Sequence, residues 1–109
     1  MARREERRVT ALPDWLDRHT AAAPPALRAR VREHALAVRS DEALPAMLAL
    51  AGREALERVV THPGDRSVAL DLLAADALIT LALLAQAREA PGELGAFADS
   101  VLQAGRPGS

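Results

Sequence analysis

The sequence predicts an all-α protein: a small bundle of four main helices plus a short N-terminal one. Three observations carry that expectation. The first is the run Val68 to Ala85, VALDLLAADALITLALLA, which only Asp71, Asp76 and Thr80 interrupt and which holds no Gly or Pro. Leu and Ala lose little side-chain entropy in a helix, so such a run favours that state. The second is composition. Hydrophobic residues make up 50% of the chain, yet Trp15 and Phe97 are the only aromatics. A core of Leu, Ala and Val suits close-packed helices better than a sheet. The third is that apolar positions elsewhere recur at helical spacing between Pro and Gly punctuation. With 109 residues the chain is long enough for one core. The expected division is a charged arm over 1–10, one helical-bundle domain over 11–105 and a disordered tail over 106–109.

The arm, MARREERRVT, mixes Arg3, Arg4, Arg7 and Arg8 with Glu5 and Glu6. The two acids dilute its basic charge, so it reads as a frayed, solvated end rather than a phosphate-binding arm. Pro13 is placed at the start of a short helix, PDWLDRHT, because proline is tolerated in a first turn. Val9, Leu12 and Leu16 are spaced to share one side, with Trp15 beside them. Trp15 with Leu16 is the candidate interface, since an exposed Trp is a favoured binding anchor; the plainer reading is that Trp15 packs the segment onto the bundle.

Pro24–Pro25 ends that helix and starts the next, which is expected to reach about Val38. Leu27, Val31, Ala35 and Val38 form its buried stripe, and Arg28, Arg32 and Arg39 share a flank that reads as solvated. Ser40, Asp41 and Glu42 are expected to cap a third helix continuing to about Thr61, with Pro45 in its opening turn. Leu44, Leu48, Ala51, Ala55, Leu56, Val59 and Val60 cover a broad apolar face with Gly52 near its centre. A central Gly costs a helix about 1 kcal/mol, so it signals close approach of a neighbour. His62-Pro63-Gly64-Asp65-Arg66-Ser67 is a sharp turn with a helix start at Asp65 or Ser67, which makes the third helix and the apolar helix antiparallel.

The apolar helix, placed at about 67–87, is the centre of the bundle. On a wheel of about 100° per residue Asp71 and Asp76 stand roughly 140° apart, so no continuous polar face exists. A helix apolar nearly all round lies among other helices or in a membrane. A span needs about 20 apolar residues and tolerates mid-depth acids poorly, so no membrane span is expected. Ala90-Pro91-Gly92 ends the polar tail Gln86 to Glu89. The last helix runs from about Gly92 or Glu93 to Ala104 on the periodicity of Leu94, Phe97, Ala98, Val101 and Leu102, with Gly105 as its C-terminal cap.

Much chemistry is excluded. The chain has no Cys, hence no disulfide, thiol nucleophile or thiolate-held zinc. The net charge is −1, and no aromatic residue interleaves the Arg28 flank, so a nucleic-acid partner is not expected. His19, His34 and His62 form no metal-binding spacing, no phosphate-cradling loop occurs, and Ser40, Ser67 and Ser100 lack a nucleophile-elbow context. No cofactor, metal or catalytic residue is expected. All fourteen basic residues are Arg, as a GC-rich coding sequence would produce. The absence of an apolar leader run points to the cytoplasm.

Asp76 is the one acid that breaks the apolar pattern for no local reason, because Asp71 sits near the helix start where the macrodipole favours it. A buried charge must be paired. Counting back from the turn brings Arg53 to the level of Asp76, with Arg58 one turn nearer the loop. Asp76, Arg53 and Arg58 are therefore the candidate polar site, structural or ligand-facing. The segment Ala75-Asp76-Ala77-Leu78-Ile79 resembles the short Asp-Ala-Leu helix of trans-prenyl diphosphate synthases, without that family's paired aspartate-rich motifs, and no function is carried over from it. The expected role is a non-catalytic helical interaction module that forms a homo-oligomer or binds a helical partner. The rival is a small-molecule-binding or regulatory domain with an apolar cavity.

Overall fold

A computed structural model describes the backbone of residues 2–62, 64 and 66–104, with side chains from residue 11 to residue 103 of that range. Among the described residues there are five α-helices and no strand: α1 (Ala2–His19), α2 (Pro25–Ala37), α3 (Leu44–Thr61), α4 (Ser67–Glu89) and α5 (Leu94–Ala104), with a 3-10 turn at Pro91–Glu93 leading into α5. The expected all-α bundle around the apolar helix is what forms.

The first helix is longer than expected. It begins at Ala2, and Pro13 lies in its interior. The residues ahead of Pro13 are mostly Arg, Glu and Ala, all strong helix formers. Pro13 forfeits only its own donor bond, to the carbonyl of Val9, and the helix continues past it. The other boundaries follow local chemistry. Pro25 occupies the first turn of α2 and Val38 turns extended to end it. Pro45 occupies the first turn of α3 and Ala43 is its N-cap residue. Ser40 does not cap that helix: its Oγ accepts the Glu42 amide at 3.0 Å and closes a tight local turn instead.

Between α3 and α4, Gly64 has φ +90°, a left-handed conformation that glycine adopts without a Cβ penalty. The start signal expected at Asp65 lies outside the described residues; Ser67 is the first residue of α4 rather than its cap, and Arg66 ahead of it already has helical dihedrals. The Gly105 cap and the tail 106–109 also lie outside them.

Helices α3 and α4 share the largest interface, α2 packs across both, and α5 lies on α4. The core is built from Leu16, Val31, Ala35, Leu48, Ala51, Leu78 and Ala82, with Phe97 and Val101 packed against its edge. Its many alanines let helix axes come close. Of the described glycines, Gly52 is the one against a neighbour. A Cβ built there would stand 2.9 Å from Ile79 Cδ1 and 3.3 Å from the Ala75 carbonyl oxygen. Gly52 thus marks the close approach of α3 to α4, as its position on the apolar face implied.

Candidate functional site

The polar centre of the molecule is Asp71, not Asp76. Asp71 is the fifth residue of α4 and is 1% exposed. Two groups from α2 reach one of its oxygens. Arg30 Nη1 donates to Oδ1 at 3.1 Å, and His34 Nε2 donates to the same oxygen at 2.9 Å. From α3, Arg58 Nε lies 3.7 Å from Oδ2. Arg30 is steered in turn by Glu33 one turn further on, at 3.8 Å. One carboxylate therefore ties α2, α3 and α4 together. Two donors on one oxygen and a cation near the other satisfy a desolvated acid in the way burial demands.

This corrects the expected pairing. Asp76 is exposed, and among the described residues no hydrogen bond or ion pair joins it to Arg53 or Arg58. The count back from the turn was sound in height: Ala75 and Ile79 stand beside Gly52, and by the same count Arg58 stands opposite Asp71. It could not supply rotation. The two acids point about 140° apart on the helix, so only one can face α2 and α3. That one is Asp71. Arg53 is exposed and lines a cleft instead. Arg30 and His34 were the missed residues. Their signal was their i,i+4 spacing beside the Val31–Ala35 stripe, which puts both at the edge of a buried face.

The expected interface pair also divides. Leu16 is sealed in the core and cannot meet a partner, because its side of α1 is the side that docks. Trp15 is half-buried and packs on the core edge. Its indole stacks on His19 with centroids 4.1 Å apart and an interplanar angle of 22°. His19 Nδ1 donates to the Trp15 carbonyl at 2.8 Å, and its Nε2 accepts from Arg88 Nη1 at 3.1 Å. Part of the flank read as solvated on α2 helps to hold α1: Arg28 and Arg32 both approach Asp17 Oδ1, at 3.9 and 3.7 Å. These contacts are exposed, so each contributes about 0–1 kcal/mol.

Open clefts indent the surface among the described residues, and two of them are lined by residues of the bundle. One, of about 220 Å³, has Leu12, Trp15, Leu44 and Met47 as apolar walls between α1 and α3. The other, of about 340 Å³, lies between α3 and α5, with Leu50, Phe97 and Val101 as walls and Glu42 and Arg53 on its lining. No group of three or more His, Asp and Glu side chains among the described residues is arranged to hold a metal ion.

A further surface feature is the outer side of α4. Ala69, Leu72, Leu73, Asp76 and Thr80 are all exposed there. Leu72 is 49% and Leu73 54% exposed. At about 100° per residue these five positions fall within one arc of roughly 100°. Leu56 and Val60 of α3, 41% and 72% exposed, lie on the edge of α3 beyond Gly52, and the antiparallel register brings Leu56 level with Leu72 and Leu73. By length and composition α4 is apolar enough to cross a membrane, and only 39% of its most apolar 18-residue window is buried. Among the described residues α2, α3 and α5 pack on α4 and leave this outer arc of its N-terminal half uncovered.

No protein-family model, curated protein or solved structure matches this chain.

Proposed function

We propose that the chain is a non-catalytic helical module that self-associates through the outer face of α4. The uncovered leucines carry this reading. A helix that is apolar nearly all round needs neighbours on every side, and among the described residues the arc with Leu72 and Leu73 has none. Contiguous exposed apolar surface of this kind marks an interaction site. A second copy is the simplest partner, because a two-fold pairing buries the same face on both molecules. Asp71 fits this role as a brace: it holds α2 and α3 against α4, which keeps the outer face of α4 presented.

Light scattering at two concentrations tests it. The expected result is a mass that rises toward twice 11.6 kDa, with Leu72→Glu and Leu73→Glu holding the chain at the monomer mass while helicity is unchanged. A monomer at high micromolar concentration refutes the reading. Partition of the wild type into neutral lipid vesicles, lost in the same variants, would assign the face to a membrane surface instead.

One observation favours a second reading, a small-molecule-binding domain: the α3–α5 cleft, whose apolar walls carry both Arg53 and Glu42. Such a site takes an apolar body with a polar head that Arg53 can donate to, such as a carboxylate, provided it sits away from Glu42. Titration with a medium-chain carboxylate, followed by amide chemical shifts at Leu50, Phe97 and Val101, tests it; no shift at millimolar ligand removes it.

A further inference from the structure

The outer face of α4 carries two charges besides its leucines. Asp76 is exposed near its middle, and Arg66 is exposed at its N-terminal end. Among the described residues neither has an intramolecular ion pair. Arg66 has φ −59° and ψ −35°, so its backbone continues the helical spiral and its side chain leaves on the same half of the helix as Asp76. The two lie ten residues apart, about 15 Å along the axis.

We infer that two copies pair α4 against α4 in antiparallel orientation, with Arg66 of each chain meeting Asp76 of the other. This rests on the self-association proposed above and adds the register. Two independent features of the face select it. In an antiparallel two-fold pair, residues equidistant from the axis meet. Bringing Arg66 to Asp76 places the axis midway between them, level with Asp71. The exposed leucines, Leu72 and Leu73, stand one and two residues past that level, about 1.5 and 3 Å along the axis, so in the register that pairs the charges the leucines of the two copies lie on either side of the centre. Ala69, being small, then lies across from Leu73 of the second copy and leaves room for it. The result is an apolar centre with an ion pair at each end, the usual layout of a specific interface. A parallel pairing in register would set Asp76 against Asp76, and like charges facing one another disfavour it. Leu56 and Val60 extend the apolar area along α3 on the same side.

The test is charge reversal and restoration. Arg66→Asp and Asp76→Arg are made singly and together, and the dimer dissociation constant is measured by sedimentation equilibrium at low salt, with circular dichroism confirming unchanged helicity. Both positions are exposed, so folding of the single chain is preserved. Each reversal alters two symmetric contacts and replaces attraction by repulsion, so each single variant is expected to weaken the dimer by about tenfold or more. The double variant restores the ion pairs in swapped form and is expected to return to within about threefold of the wild type. A wild-type dimer whose affinity the single reversals leave unchanged overturns the register while self-association stands. Single variants that weaken the dimer with a double variant that weakens it further also overturn the register, because the charges then act separately. A monomeric wild type overturns this inference together with the reading beneath it.

Discussion

Replacing Asp71 by alanine removes the one carboxylate on which α2, α3 and α4 converge. The loss is calculable from its surroundings. Asp71 is buried, with Arg30 at 3.1 Å, His34 at 2.9 Å and Arg58 at 3.7 Å. Breaking a buried ion pair by removing one partner costs about 3–5 kcal/mol, because the remaining charge is stranded. Here the stranded groups are not equally trapped. The Arg58 side chain is 56% exposed and can turn to water at little cost. Arg30 and His34 are mostly covered and lose a shared acceptor. The expected cost is therefore at the lower end, about 3 kcal/mol. For a domain of this size that is a fall in Tm of about 12–24 °C. Asp71→Asn keeps the shape and one oxygen but loses the charge assistance, and should cost about 1–2 kcal/mol. The control is Asp76→Ala, five residues along the same helix but exposed, which should stay within about 0.5 kcal/mol of wild type. Urea unfolding followed by circular dichroism measures all three, at one fixed protein concentration so that association does not shift the comparison. If Asp71→Ala costs less than about 1 kcal/mol, or no more than Asp76→Ala, the carboxylate is not the brace described, and its burial does not depend on its three partners.

Gly52→Leu should destabilise by about 1–3 kcal/mol, because Ile79 and the Ala75 carbonyl already fill the space a side chain would need. Gly52→Ala should lose less than Gly52→Leu, because the gain in helix propensity of about 1 kcal/mol is set against a Cβ that meets Ile79 Cδ1 at 2.9 Å, Ile79 Cγ1 at 3.0 Å and the Ala75 backbone carbonyl at 3.3 Å. A Leu variant that melts at or above the wild-type temperature would show that α3 and α4 do not meet there. Leu78→Ala, at a fully buried position on α4, should cost about 2–5 kcal/mol by chemical denaturation, whereas Leu73→Ala, at an exposed one, should cost the isolated chain less than about 0.5 kcal/mol; equal losses would contradict the assignment of the inner and outer sides of α4. His19→Ala removes the ring stacked on Trp15 and should change the intrinsic fluorescence of the folded protein, whose single tryptophan is Trp15; an emission spectrum identical to wild type would argue against the stack.

Helix identity, order and approximate ends were legible in the residues because local chemistry decides them. Pro24–Pro25, Pro45 with its flanking turn, Gly64 and Pro91 punctuate the chain, and Leu/Ala periodicity fills the intervals. The Gly52 approach was legible too: a residue without a side chain at the middle of an apolar helical face weakens the helix unless a neighbour fills the gap. The extent of α1 was not, since Pro13 is a legitimate helix start and a tolerable interior residue alike, and only the continuity of the backbone chooses between them. Nor was the polar centre. Counting from a turn gives height along an antiparallel pair but not rotation about the axis, and Asp71 and Asp76 both satisfied the count against arginines of α3. What decides between them is where α2 lies, and that depends on how Val31 and Ala35 settle against α3 and α4. Arg30 and His34 then arrive beside Asp71 from more than thirty positions away in the chain. The same placement leaves Leu72 and Leu73 facing outward. A wheel that is apolar on every side says that such a helix needs company; the directions in which one chain provides it are settled only by the packing of the other helices.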